Sequence, residues 1–354
     1  MVSEAPPFWW NKPDWRAWSL YPLSWLYGSV ARSRMDRAPR VPVNAPVICV
    51  GNFTVGGAGK TPTALALADA ALAAGHKPGF LSRGYRGSLR TTTIVDPTRH
   101  NARDVGDEPM LLAARALTVV SPDRLQGARK LLAEGADLII MDDGFQSASI
   151  RFDFALLVVD ADRGIGNGHV IPGGPMRAPM LDQMRHATAL LVIGEGVAAD
   201  AVIRSAGRAA KPIYKGVFGV PGADRFKDRQ VLAFAAIGNP DKFFESLQAT
   251  GARIVERRSF GDHHVFTEDE ITELMDLAQK QNLEIVTTSK DMVRLAGGHG
   301  KAQDLARKAS VLEVELRLEQ DDLLNRMIEQ AVAGFKKREL ATPVAGGEPD
   351  TNRK

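Results

Sequence analysis

The chain has 354 residues, 44% of them hydrophobic and 25% charged, with a formal net charge of +3. Such a length favours about two domains, and the balance excludes both a disordered protein and a multi-span membrane protein. Its one cysteine, Cys49 in the apolar run PVICV, excludes an internal disulfide and suits a reducing compartment as a buried small hydrophobe.

Residues 1–45 hold six Lys/Arg against three Asp/Glu, which accounts for the whole net charge. No basic cluster lies beyond them, so no nucleic-acid partner is expected. All five tryptophans (Trp9, Trp10, Trp15, Trp18, Trp25) fall here with Phe8, Tyr21 and Tyr27, followed by Arg32, Arg34, Arg37 and Arg40. Amphipathic rings next to arginines suit a bilayer surface carrying anionic headgroups. The low-charge run Trp18–Ala31 contains Pro22 and falls short of the roughly 20 residues that span a bilayer, so residues 8–40 are expected to lie on a membrane. Trp18, Tyr21, Trp25 and Leu26 recur with a helical spacing that puts them on one face. A helix docked on the chain's own core is the alternative. No basic n-region leads into a cleavable signal peptide.

From residue 46 to about 220, short apolar runs alternate with helical stretches: VICVG, a helix over 61–74, GFLSRG, LTVVS, a helix over 123–134, DLIIMDD, FALLVVD and ALLVIG. Continuous apolar strands separated by helices predict a doubly wound, mostly parallel α/β sheet covered on both faces. A second series over 221–338 predicts a smaller α/β domain: QVLAFAAIG, a helix over 240–250, RIVERRSF, a helix over 267–281, LEIVTTSKD, ASVLEVELR and a helix over 319–337. Residues 339–354 read as a disordered polar tail.

VGNFTVGGAGKTPT follows the first apolar strand and opens a helix, the setting of a P-loop NTPase. The strict pattern G-x-x-x-x-G-K-[ST] would place glycine where Thr54 stands. Thr54, Val55, Gly56, Gly57, Ala58, Gly59, Lys60 and Thr61 are the candidate nucleotide-binding residues. The glycines let backbone N–H groups converge on phosphate, Lys60 adds a point charge and Thr61 a hydroxyl for Mg²⁺. Asp142 and Asp143, ending DLIIMDD, would reach the same sheet edge as metal ligands. Asp107 and Glu108 sit in GDEP, where helix capping is the plain reading of Asp107. Asp262, His263 and His264 sit in FGDHH, and Arg177 in the Gly/Pro-rich loop GNGHVIPGGPMRAP, 166–179. Transfer to a hydroxyl needs a base, and Asp107 with His263 would serve if the fold joined them.

Taken in order, VGNFTVGGAGKTP, LSRGY, GDEP, DDGFQ, GNGHVIPGGPMR, AIGNPDKFF and FGDHHVF closely resemble the tetraacyldisaccharide 4'-kinase family over roughly residues 19–315. The resemblance implies ATP-dependent phosphorylation of the 4'-hydroxyl of a tetraacyldisaccharide 1-phosphate to give lipid IVA, at the cytoplasmic face of the inner membrane. It implies Lys60 and Thr61 on the triphosphate and Mg²⁺, Asp107 as general base assisted by His263, and Glu108, Asp142 and Asp143 as metal-site acids. It further implies Arg83, Arg124 and Arg177 near the phosphates or the lipid headgroup. That family also lacks the leading glycine, and it usually has histidine at Ser147 and glutamate at Ala178. An acylated substrate stays in the bilayer, which strengthens the peripheral membrane reading; no obligate protein partner is inferred.

The competing class is a P-loop GTPase or ATPase switch acting on a protein at the membrane. Its base-reading pattern [NT]-K-x-D occurs as Asn11-Lys12-Pro13-Asp14, but upstream of the loop rather than after it. A membrane-bound structural module would give Lys60, Asp107 and Asp142 no joint purpose.

Overall fold

The computed structural model describes residues 5–147 and 149–341; most of the tail expected over 339–354 lies outside the described residues. Nine strands form one sheet: β1 (Val47–Asn52), β2 (Pro78–Ser82), β3 (Thr93–Ile94), β4 (Leu117–Val120), β5 (Leu138–Asp142), β6 (Phe154–Asp160), β7 (Ala189–Ile193), β8 (Ile213–Gly219) and β13 (Glu315–Leu318). They run in the order β13-β8-β7-β6-β1-β5-β2-β4-β3, parallel except for antiparallel β13 on β8 and β3 on β4. β1, β5, β6 and β7 are buried at every residue, as their unbroken apolar runs require. One face is covered by the helices Lys60–Ala73 and Leu323–Ala341, the other by Arg124–Ala133, Met180–His186 and Asp200–Arg208.

The chain crosses from one flank of β1 to the other between β5 and β6, so a crevice opens at the C-terminal end of β1. A second, parallel sheet has the order β10-β9-β11-β12, with β9 (Gln230–Ala235), β10 (Arg253–Ser259), β11 (Glu284–Thr288) and β12 (Ser310–Leu312). Phe243, Phe244 and Leu247 pack on one of its faces, and Ile271, Leu274, Leu295 and Leu305 on the other.

ASVLEVELR, expected as one strand, divides between the sheets: β12 closes the small one, and β13 pairs with β8 in the large one. Met327, Ile328 and Ala331 then pack on the large sheet, and Arg338 donates to Asp153 at 2.9 and 3.0 Å. Residues 315–338, placed in the smaller domain by the sequence reading, thus pack with the larger one. The apolar alternation runs unbroken through Leu312, Val314, Leu316 and Leu318 and gives the crossing no periodic signal. β8 has no counterpart among the expected strands because only Gly216 in it is buried.

The N-terminal segment folds as the helices Trp15–Ser19 and Tyr21–Arg37. It docks through Ala17, Ser24, Gly28 and Met35, with Gly28 close to Pro179 and Ser24 Oγ accepting from the Gly173 N–H at 2.9 Å. The opposite face leaves Trp15 74% and Trp25 64% exposed, with Leu23, Leu26 and Val30 beside them, and Trp18, 58% exposed, meets His169 edge-on with ring centroids 4.9 Å apart. Among the described residues no helix is long and apolar enough to cross a membrane.

Candidate active site

The phosphate loop leaves β1 at Asn52. Thr54 forms an antiparallel bridge with Met176, the Val55 N–H donates to the Pro175 carbonyl at 2.9 Å, and Arg177 N–H donates to the Phe53 carbonyl at 2.9 Å. Thr54 is therefore extended and buried, a conformation open to any residue, which is why no glycine is needed there. Gly59 does need to be glycine: its φ is +89°, and a Cβ would lie 2.5 Å from Cζ of Phe218. The helix begins at Lys60, so its unpaired N–H groups point into the crevice.

Asp142 ends β5 beside this helix and Asp143 follows it, but the two do different things. Asp142 Oδ2 accepts from Thr61 Oγ1 at 3.2 Å, while its buried Oδ1 has no hydrogen-bond partner. Burial pushes its pKa up to about 6. Asp143, at φ +59°, accepts from both terminal nitrogens of Arg177 at 2.6 and 2.9 Å and lies 3.8 Å from Lys60 Nζ. Burial would raise its pKa, but Lys60 and Arg177 outweigh that and hold it at about 2. Arg177 Nε also donates to the Thr54 carbonyl at 3.0 Å, tying the 166–179 loop to the phosphate loop.

A cavity of about 2290 Å³ runs between the two sheets and is lined by the phosphate loop, Arg83, Arg124, Glu108, His263 and Lys290 among others. Arg124 is buried and donates to the Ser121 carbonyl at 3.1 Å; burial and the neighbouring Arg83 guanidinium bring its pKa down to about 10. Two cations held this close suit an anion between them.

The fold joins Asp107 to His263, 156 residues apart: His263 Nδ1 and Asp107 Oδ2 are 2.7 Å from each other. Asp107 starts the helix Asp107–Ala113 of the large unit, and His263, at φ +61°, comes from the turn after β10 in the small one. His263 lines the cavity and Asp107 lies behind it, 9% exposed at the side chain. Burial works against the Asp107 charge, yet the bond to His263 and the Arg294 guanidinium together bring its pKa below the ordinary value. The capping reading of Asp107 is replaced by this cross-unit pairing; no side-chain cap is made at that helix.

Glu108, expected with the metal acids, is engaged instead by Lys290 Nζ at 2.5 Å. Among the described residues no three acids or histidines converge as a metal cluster. Lys290 and Arg294 are absent from the sequence-derived candidates. The signal for Lys290 is TTSKD, which reads as strand but in which Ser289 opens a helix at the C-terminal edge of β11, and Arg294 follows one turn later on that helix. Ser147 Oγ caps its own turn at the Gly144 carbonyl, 2.9 Å away. Asp14, in the switch-like Asn11–Asp14 run, caps the helix Trp15–Ser19 by accepting from Arg16 and Ala17.

A sequence model described as LpxK, tetraacyldisaccharide-1-P 4'-kinase, matches residues 16–333. The chain belongs to this family. Relatives named tetraacyldisaccharide 4'-kinase include one from Rhizobium meliloti (strain 1021), 58% identical over 98% of this chain and 100% of its own length. Another, from Rhizobium etli, is 59% identical over 96% of this chain and 98% of its own. A crystal structure of "apo" form LpxK from Aquifex aeolicus in complex with ATP superposes with a TM-score of 0.67 at 27% identity, covering 89% of this chain and 99% of that one. Like its family, the chain is a P-loop kinase of lipid A biosynthesis, and the switch reading gives way to it.

Proposed function

We propose that the cleft transfers the γ-phosphoryl of ATP to the 4'-hydroxyl of a tetraacyldisaccharide 1-phosphate, with the Asp107–His263 pair taking the hydroxyl proton. The observation that carries this is the 2.7 Å contact between those two side chains, made at the wall of the cavity that the phosphate loop also lines. An alcohol becomes a competent nucleophile only as its proton leaves, and a carboxylate joined to an imidazole can receive it. Lys60 and the backbone of Val55–Gly59 hold the triphosphate. Arg177 and Lys60 keep Asp143 ionised at the loop, and Arg83 with Arg124 form a cationic wall for phosphate or headgroup.

The residues present fit Mg²⁺: Asp142 Oδ1 is buried without a partner, and the Thr61 hydroxyl lies against the same carboxylate. Thr61 and Asp142 would hold the ion. Bound there with the nucleotide, it would neutralise charge on the β- and γ-phosphates. Glu108, which Lys290 occupies, stands outside that set in this reading.

The exposed indoles of the N-terminal helices, followed by Arg32, Arg34 and Arg37, suit a peripheral seat on the cytoplasmic face of the inner membrane, where an acylated acceptor resides. Radiolabelled ATP, Mg²⁺ and the acceptor in detergent micelles test the chemistry. Lys60→Ala and Asp107→Asn should each lose about 10²-fold or more in transfer. Wild-type transfer by Asp107→Asn would remove that residue from the mechanism.

A further inference from the structure

The helix Ser289–Ala296 enters the cleft from the small sheet and carries Lys290 and Arg294 one turn apart. Arg294 is 8% exposed at its side chain. Its Nε and Nη2 both lie 2.6 Å from one oxygen of Asp107, Oδ2. Its Nη1 donates to Asp291 Oδ1 at 2.6 Å and to the Ala236 carbonyl at 2.8 Å. Asp291 is fully buried and accepts in turn from the Ala236 N–H at 3.1 Å and from Thr288 Oγ1 at 2.6 Å.

The same Ala236 carbonyl accepts the backbone N–H of His263 at 3.1 Å. Both groups that grip Asp107 Oδ2 therefore hang from one carbonyl at the end of β9. A fork-to-fork pairing would occupy both carboxylate oxygens. Here the guanidinium straddles a single oxygen, and Oδ1 stays outside the ion pair.

We propose that Arg294 is a positioning residue for the phosphoryl transfer, fixing Asp107 and His263 against each other at the cavity wall. The proposal rests on the Asp107–His263 reading above. In this arrangement the helix Ser289–Ala296 of the small unit supplies the frame and the large unit supplies the carboxylate, so the pair forms only where the two units meet.

The test compares initial rates of the full chain, with ATP and acceptor in micelles, for wild type, Arg294→Lys, Arg294→Met, Asp107→Asn and the double variant Asp107→Asn/Arg294→Met. Arg294→Met should lower kcat by about 30–100-fold, as a misplaced base does, with KM for both substrates within about twofold. Arg294→Lys returns the charge without the fork and should recover part of that loss, remaining roughly 5–10-fold below wild type.

In the Asp107→Asn background the Arg294→Met change should cost less than about twofold, because the residue it positions is already gone. A kcat for Arg294→Met within about threefold of wild type, or an equal loss in both backgrounds, overturns the proposal. An active Asp107→Asn overturns both this and the base assignment; an inactive one beside a wild-type-like Arg294→Met overturns this alone. Binding of an ATP analogue checks folding, and if Arg294→Met does not fold, Arg294→Lys in the two backgrounds decides by the same criteria.

Discussion

Replacing Trp18 and Trp25 by alanine should detach the protein from bilayers without unfolding it. Both indoles stand more than half exposed, Trp25 turned away from the core and Trp18 edge-on to His169 with ring centroids 4.9 Å apart, while the docking face is made by Ala17, Ser24, Gly28 and Met35. A tryptophan offers up to about 250 Å² of surface, so roughly 60% exposure leaves about 150 Å² to enter the interface. At about 25 cal/mol per Å², and with half to two-thirds of that area inserted, each indole contributes about 2 kcal/mol. The double variant should then lose about 4 kcal/mol, close to a 10³-fold fall in partitioning. Anionic vesicles and sedimentation measure it directly. Intrinsic emission gives a second reading confined to this segment, because all five tryptophans lie within the first 25 residues. Wild-type emission should shift to the blue on adding vesicles. An unshifted spectrum, or a double variant that partitions within about threefold of wild type, would show that these indoles do not enter the bilayer.

Two further perturbations follow from the same structure. Gly59→Ala combines a left-handed backbone cost of about 1–2 kcal/mol with crowding of Phe218 worth about 1–3 kcal/mol, so urea unfolding should show a clear loss and ATP-analogue binding should collapse. Gly57→Ala, with nothing within 4 Å of its Cβ, should melt like wild type; equal damage in both would contradict the geometry. Lys290→Met leaves Glu108 in a partly buried site without its cation, at a cost of about 1–3 kcal/mol. The sign with pH follows from both partners. Burial opposes the Glu108 charge but Lys290 outweighs it, so its folded pKa lies below 4.5, and its stabilisation is present above that value and lost as pH falls through the folded one. Burial likewise opposes the Lys290 charge but Glu108 outweighs it, so its folded pKa lies above 10.5, and its contribution is complete below that value and lost as pH rises through the folded one. The stability gap between variant and wild type should hold across neutral pH and shrink in acid; a gap unchanged well below pH 4.5 would refute the pairing.

The phosphate machinery is legible in sequence because it is local: a buried strand, a glycine loop and Lys60-Thr61 lie within fifteen residues, and DLIIMDD is itself a strand end. The parallel sheet is legible from its apolar runs. What escapes depends on the meeting of distant segments. Lys290 and Arg294 gain meaning only because the second sheet brings them against Glu108 and Asp107, 182 and 187 residues away. The transfer of β13 to the large sheet escapes for a related reason, since a half-buried edge strand keeps the same alternation whichever sheet it joins. The adjacent acids of DDGF and of GDEP each look, in sequence, like a pair with a shared role. In the fold Asp142 and Asp143 take different partners, and so do Asp107 and Glu108.

The 166–179 loop shows why exposed substitutions probe the proposed membrane seat better than truncation. On one side it is held by the N-terminal segment: Trp9 Nε1 donates to the Pro172 carbonyl at 3.0 Å, the Asn167 N–H donates to the Trp9 carbonyl at 2.7 Å, and the Gly173 N–H donates to Ser24 Oγ. On the other side the same loop pairs with Phe53–Val55 and sends Arg177 to Asp143. Removing residues 1–30 would therefore strip the loop that braces the phosphate site as well as any surface anchor, and lost activity would follow from either cause. Trp25 makes none of those contacts, whereas the Trp18 ring meets His169 of the loop edge-on, with centroids 4.9 Å apart. A variant altered only at Trp25 separates the two effects: membrane binding should fall while transfer to a micelle-dispersed acceptor with a saturating nucleotide retains its kcat.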